Sequence, residues 1–228
     1  FIGFRVLANS SGRKINWVPM KQHRYDLDAM ATKITEYTKI IYIANPDNPM
    51  GTFITKKEFD DFYSHVPARV LIILDEAYFE FANNIADYPD SMTYRYDNVI
   101  TLRSFSKAYG LGGVRIGYGF AHEDLITNLI KVKVPFEPSM LAQIAGNAAL
   151  DDEQFLSKTI SLNQIGIKYF SEQFNNLNIN FIPSATNFIT TIWKSANEAQ
   201  RISKALFKCG VLVRELSSFG WPASSSTP

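Results

Sequence analysis

Ser104-Phe105-Ser106-Lys107, followed eight residues later by Arg115, brings an amine, two hydroxyls and a guanidinium into one short stretch. A lysine amine condenses with an aldehyde, and a serine beside an arginine is a natural receptor for phosphate. The stretch follows directly on the apolar run 98–103. Two further apolar runs end in the same manner. Run 39–44 leads into Asn45-Pro46-Asp47-Asn48-Pro49-Met50-Gly51, and run 69–75 closes on Asp75, three residues before Tyr78.

Runs that are apolar at consecutive positions suit strands buried on both faces. A fourth such run covers 115–120. Between them lie helical patterns at 2–8, at 27–34 behind Asp26, and from Thr55 to 65, where Glu58 completes a capping box. Residues 14–18 read as a further strand. The alternation predicts an α/β architecture, a large domain with a mostly parallel sheet flanked by helices. From 139 onward the pattern changes to long helices at 139–150 and 152–176. Strand-like 187–193, a helix over 196–209 and strand-like 211–214 follow. This predicts a partial, smaller α+β domain, with the division falling as 1–150 and 151–228. In open α/β sheets ligands collect at the carboxyl ends of the strands, so the three polar loops converge on one ligand.

The 228 residues are 46% hydrophobic and 20% charged, with a net charge of +1. That balance is ordinary for a globular protein and argues against nucleic-acid or membrane partners. A single cysteine, Cys209, rules out an internal disulfide and fits a reducing compartment, so the expected location is cytoplasmic. His23, His65 and His122 lack metal-ligand spacing, and no metal site is expected. The glycines at 110–119 do not form a dinucleotide fingerprint, because arginine holds position 115.

Asp75 ends an apolar run, where an ionised carboxylate is costly unless paired. A pyridinium N–H is one such partner, and Tyr78 and Asn48 are candidate partners for a ring hydroxyl. Taken singly, each has an ordinary explanation: a structural acid, a core tyrosine, a turn asparagine. The ordered set at successive strand ends points to pyridoxal 5'-phosphate, which carries an aldehyde, a phosphate, a ring nitrogen and a ring hydroxyl.

The three motifs, with Leu74-Asp-Glu-Ala-Tyr78 and the continuation to Gly117, resemble those of fold-type I pyridoxal-phosphate aminotransferases. Pro183-Ser-Ala-Thr-Asn-Phe-Ile189 and Gly210-Val-Leu-Val-Arg214 are similar to the histidinol-phosphate branch. The resemblance implies that Lys107 holds the cofactor and then moves the proton between substrate and cofactor. It implies that Asp75 pairs with the ring nitrogen, and that Asn48 and Tyr78 bond the ring hydroxyl. Ser104 and Arg115, helped by Ser106, are implied to hold the phosphate, with Phe1 stacked on the ring and Arg214 contacting substrate. The implied reaction exchanges an amino group between a small-molecule donor, histidinol phosphate, and 2-oxoglutarate, in histidine biosynthesis, by a homodimer. Sister activities on the same scaffold, an aromatic aminotransferase or a threonine-phosphate decarboxylase, stand as alternatives, as does an inactive remnant.

Departures from the pattern set further expectations. Met50 replaces the usual threonine of the turn, tolerable if the backbone is kept. The glycine-containing helix start that completes the family's phosphate cup lies upstream of Phe1 in that pattern. Residues 223–228 form a serine-rich tail where the pattern has a strand bearing a carboxylate-clamping arginine. The chain is therefore expected to be a fragment that binds the cofactor weakly and turns over little.

Overall fold

The computed structural model describes residues 2–94 and 96–227. Three of the apolar runs become β1 (Ile40–Ala44), β2 (Leu71–Asp75) and β3 (Val99–Ser104), which pair in parallel. Ala44 lies opposite Asp75, and Asp75 opposite Leu102, so the three carboxyl ends share one edge. The fourth run departs from expectation in two ways. As β4 (Gly117–Ala121) it starts later than position 115 and runs antiparallel to β3, with Gly117 opposite Ser104. Gly117, Tyr118 and Gly119 are also exposed, as suits a strand with one neighbour among the described residues.

Burial is one-sided in β2 as well. Ile72 and Leu74 are buried while Leu71, Ile73 and Asp75 are partly exposed. The buried face joins Ile41, Ile43 and Val70 in a core closed by Phe59 and Phe62 of α3 (Lys56–Tyr63). The predicted capping box forms there: the Glu58 amide donates to Thr55 Oγ1 at 3.2 Å and the Thr55 amide to Glu58 Oε2 at 2.7 Å. On the opposite face, α1 (Ile2–Ser10) lays the Phe4 ring on Tyr42, with centroids 4.5 Å apart. Residues 14–18, predicted as a strand, have no strand partner among the described residues, and Trp17 stands 66% exposed. Without a neighbouring edge to pair with, their alternation does not make a strand.

A second sheet has the order β5 (Asn180–Ile182), β6 (Ile189–Ile192), β8 (Ser224–Thr227), β7 (Arg214–Glu215), all antiparallel. It follows α6 (Met140–Asp151) and the 24-residue α7 (Glu153–Asn176). The serine-rich tail is thus a central strand rather than a loose end. Ser224, Ser225 and Ser226 are buried, and Ser225 Oγ accepts from Trp193 Nε1 at 3.1 Å. Serine is a poor strand former, but a backbone ladder on both sides and cross-strand hydroxyl contacts offset that.

The loop at 45–51 connects the two sheets. Its Asn45 side chain pairs both ways with the Ile54 backbone, at 2.8 and 3.2 Å. Met50 is fully buried and packs with Ile182 and Leu216, so the residue that departs from the usual turn is the apolar plug under the second sheet. Gly51 adopts φ +77°, a Cβ on it would meet Ser184 Oγ at 2.3 Å, and its carbonyl accepts from the Ala185 amide at 2.8 Å. Only glycine meets both demands at that position.

Candidate active site

The parallel register puts Asn48, Asp75 and the 104–107 turn at one edge because each follows the carboxyl end of a strand. Asn48 Nδ2 donates to the Tyr78 phenol at 2.8 Å. The Lys107 amine lies 5.2 Å from the centre of the Tyr78 ring. The ring is itself fixed edge-on against Phe188, just ahead of β6, with centroids 5.3 Å apart. Asn48, Tyr78 and Lys107 therefore form one continuous group, with Asp75 three residues before Tyr78.

The lysine turn is held by its backbone. The Gly110 amide donates to the Lys107 carbonyl at 3.0 Å, and the Leu111 amide to the Phe105 carbonyl at 2.9 Å. Ser104 Oγ accepts from the Ser106 amide at 3.0 Å, which leaves the Ser104 hydroxyl proton free to donate elsewhere. Arg115 sits two residues before the start of β4, hence at the same edge. It has φ +60°, and its guanidinium donates to the Gly112 carbonyl at 2.7 Å while remaining exposed. No direct bond joins it to Ser104 among the described residues.

Lys107 also borders a cavity of about 260 Å³ between α7 and the ends of β6 and β8, with Thr159, Asn163, Asn187 and Thr227 in its walls. The Thr227 hydroxyl is buried without a partner among the described residues. Asn187 lies in the Pro183–Ile189 stretch, and the sequence signal for it is a polar residue just ahead of the apolar run at 188–189; its place across the cavity from Lys107 emerges only in the fold. Arg214 is not part of this group. It lies exposed on β7, paired with Ser226, with no contact to the others among the described residues. Phe1 lies outside the described residues.

Behind the edge, Arg103 of β3 is buried with its guanidinium 2.9 Å from both Glu76 and Asp90 and 3.3 Å above the Phe79 ring. Phe79 opens α4 (Phe79–Ala82), so this cluster ties the segment carrying Tyr78 to β3. Glu80 of the same helix is buried, and its Oε2 has no hydrogen-bond partner among the described residues. Burial pushes its carboxyl up to about 7, with the backbone and Arg103 pulling weakly the other way. A carboxyl whose folded pKa lies above its unfolded value of 4.5 stabilises fully below that value. That contribution is lost as pH rises through 7. Glu80→Gln is accordingly expected to be more stable than wild type at pH 8, by up to about 3 kcal/mol, and no more stable at pH 4.5. Urea unfolding at the two pH values checks this, and an equal difference at both would refute it.

With this fold and this edge, the molecule is of the open α/β class that holds ligands beyond the carboxyl ends of parallel strands. The chain belongs to the class I and II aminotransferase family, whose model, "Aminotransferase class I and II", matches residues 3–226. It is 42% identical over 217 residues to histidinol-phosphate aminotransferase 2 of Carboxydothermus hydrogenoformans, covering 94% of this chain and 59% of that protein. It is 41% identical over 224 residues to histidinol-phosphate aminotransferase of Brevibacillus brevis, covering 97% and 61%. Among solved structures, histidinol-phosphate aminotransferase from Sinorhizobium meliloti in complex with pyridoxal-5'-phosphate superposes with a TM-score of 0.91 at 29% identity. That match covers 99% of this chain and 62% of the other. The chain thus spans about three-fifths of the length of these relatives.

Proposed function

We propose that the chain carries the cofactor centre of a pyridoxal-phosphate aminotransferase that takes its amino group from histidinol phosphate and passes it to 2-oxoglutarate. The observation that supports this most is the Asn48–Tyr78–Lys107 group beside Asp75 at one sheet edge. The donor set suits the cofactor: Lys107 makes no hydrogen bond or ion pair among the described residues, and Asn48 and Tyr78 pair where a ring hydroxyl would add a third partner. When bound, the cofactor supplies an electron sink for the carbanion formed at the substrate Cα. Lys107 holds it and moves a proton to and from that carbon. Asp75 accepts the ring N–H, while Ser104, Ser106 and Arg115 orient the phosphate. Phe1 is assigned the stacking role and Arg214 a substrate contact by family resemblance alone.

In the same reading, 1–150 is the cofactor domain and 151–228 the interdomain helix with part of a smaller domain. The enzyme is cytoplasmic; no described helix is long and apolar enough to cross a membrane. It pairs with a second copy, consistent with the exposed Phe136, Met140, Leu141 and Ile144 around the start of α6. A second reading, cofactor binding without turnover, is favoured by β8, where serines occupy the strand that resemblance expects to bear an arginine.

The deciding experiment supplies the chain with pyridoxal phosphate and 2-oxoglutarate and compares histidinol phosphate, phenylalanine and threonine phosphate. Glutamate is expected to form fastest with histidinol phosphate. Faster reaction with phenylalanine, or release of CO₂ from threonine phosphate, assigns a sister activity. Cofactor uptake with no turnover of any donor supports the second reading.

A further inference from the structure

Asp75 is already hydrogen-bonded through both of its oxygens. Its Oδ1 accepts from the Ala77 amide at 3.1 Å, and its Oδ2 accepts a short hydrogen bond from the Tyr42 phenol. Tyr42 is the middle residue of β1, one strand away, and points to the same face as Asp75. Its ring is immobilised by Phe4 of α1, stacked within 15° of parallel. Burial, followed by the neighbouring Asp75, raises the Tyr42 phenol well above its ordinary range, so it stays protonated and can only donate to this carboxylate. A second phenol–carboxylate pair lies close by. Tyr25 donates to Asp47 Oδ1 at 2.9 Å and accepts from the Ala44 amide at 3.2 Å. That pair serves the 45–51 loop, because Asp47 Oδ2 accepts from the Met50 amide at 3.0 Å.

From this arrangement we infer that Tyr42 is a positioning residue for Asp75, holding the carboxylate in the orientation that receives the N–H of a heteroaromatic ring. The inference rests on the cofactor reading above. A carboxylate oxygen has two lone-pair sites, so one bond to each oxygen leaves a further site on each for a ligand. The two bonds also fix the rotation of the carboxylate about its own axis. Among the described residues, losing the phenol would leave Asp75 with the Ala77 amide alone, free to turn and to be solvated before ligand arrives.

The test compares wild type with Tyr42→Phe, which keeps the ring and its stacking on Phe4 while removing only the hydroxyl. Each is titrated with pyridoxal phosphate and with the carbocyclic analogue that has C–H in place of the ring nitrogen, and dissociation constants are read by absorbance. Tyr42→Phe is expected to weaken pyridoxal phosphate about tenfold, the size of one hydrogen bond to a charged group. It should leave the analogue unchanged. Equal weakening of both compounds would mean that Tyr42 only supports the fold, and no change in either would remove any role for it; both results overturn the inference. A wild-type chain that takes up neither compound sinks the cofactor reading and the inference with it. That outcome is distinguishable from the other two because it appears before any substitution is made.

Discussion

Treated with pyridoxal phosphate and then borohydride, the wild-type chain is expected to carry the added mass on the peptide containing Lys107, and the Lys107→Ala chain to carry it nowhere. Lys107 is exposed, borders the cavity beside α7 and lies against the ring of Tyr78, so its amine is reachable by an aldehyde arriving at the sheet edge. Other lysines label slowly and non-selectively, and a brief treatment at near-equal concentrations separates them. Amino-group transfer should fall by at least about 10²–10⁴-fold in the variant, the range for one positioned acid–base group. Mass retained at a single different lysine would move the catalytic role away from residue 107. Substitution at an exposed position leaves the fold unaltered, so unfolding curves of the two proteins should coincide.

A second large effect is expected in stability rather than chemistry. Arg103→Met removes the guanidinium that neutralises Glu76, whose side chain is 1% exposed. Breaking a buried ion pair from one side costs about 3–5 kcal/mol while the remaining charge stays ionised and buried. Burial raises the Glu76 carboxyl to about 7 even against the pull of Arg103, so the full loss is expected near pH 9 and a smaller one near pH 6, where the carboxyl takes up a proton. Part of this should return in Arg103→Met/Glu76→Gln, which leaves no orphaned buried charge, since Asp90 is half exposed. A loss below about 1 kcal/mol in the single variant, with no recovery in the double, would show that the cluster contributes little. The same substitution frees Phe79 and Asp90 from β3, so the segment carrying Tyr78 should become more mobile as well.

Asn48, Asp75, Ser104 and Lys107 were legible in the chain for one physical reason. Each is a polar residue at the end of a continuous apolar run, and parallel pairing turns the ends of such runs into a single edge. Tyr42 was not legible, because a tyrosine inside an apolar run is indistinguishable from a core residue. Its hydroxyl acquires meaning only through the register that places it beside Asp75. Strand direction was hidden in β4, since hydrophobic patterning carries no sign of polarity along the sheet. β8 was missed because serine and threonine signal turns when read locally. Its strand character comes from the two neighbours it pairs with, the nearby two-residue β7 and the more distant β6. Arg214 was placed by motif similarity alone, and it lies exposed on β7, paired with Ser226.

The shared 45–51 loop bears on how such chains can be recombined. Asn48 serves the sheet edge, while Met50 and Gly51 fit against Ile182, Leu216, Ser184 and Ala185. A chimera made by exchanging everything after α7 between two relatives would join a foreign Ser184–Ala185 turn to a resident Gly51. The mismatch would then be felt at Asn48, far from the crossover in sequence. The unit inherited together is therefore discontinuous, made of residues 45–51 with the segment around 182–185. Crossovers that move one without the other should yield folded proteins with a displaced asparagine.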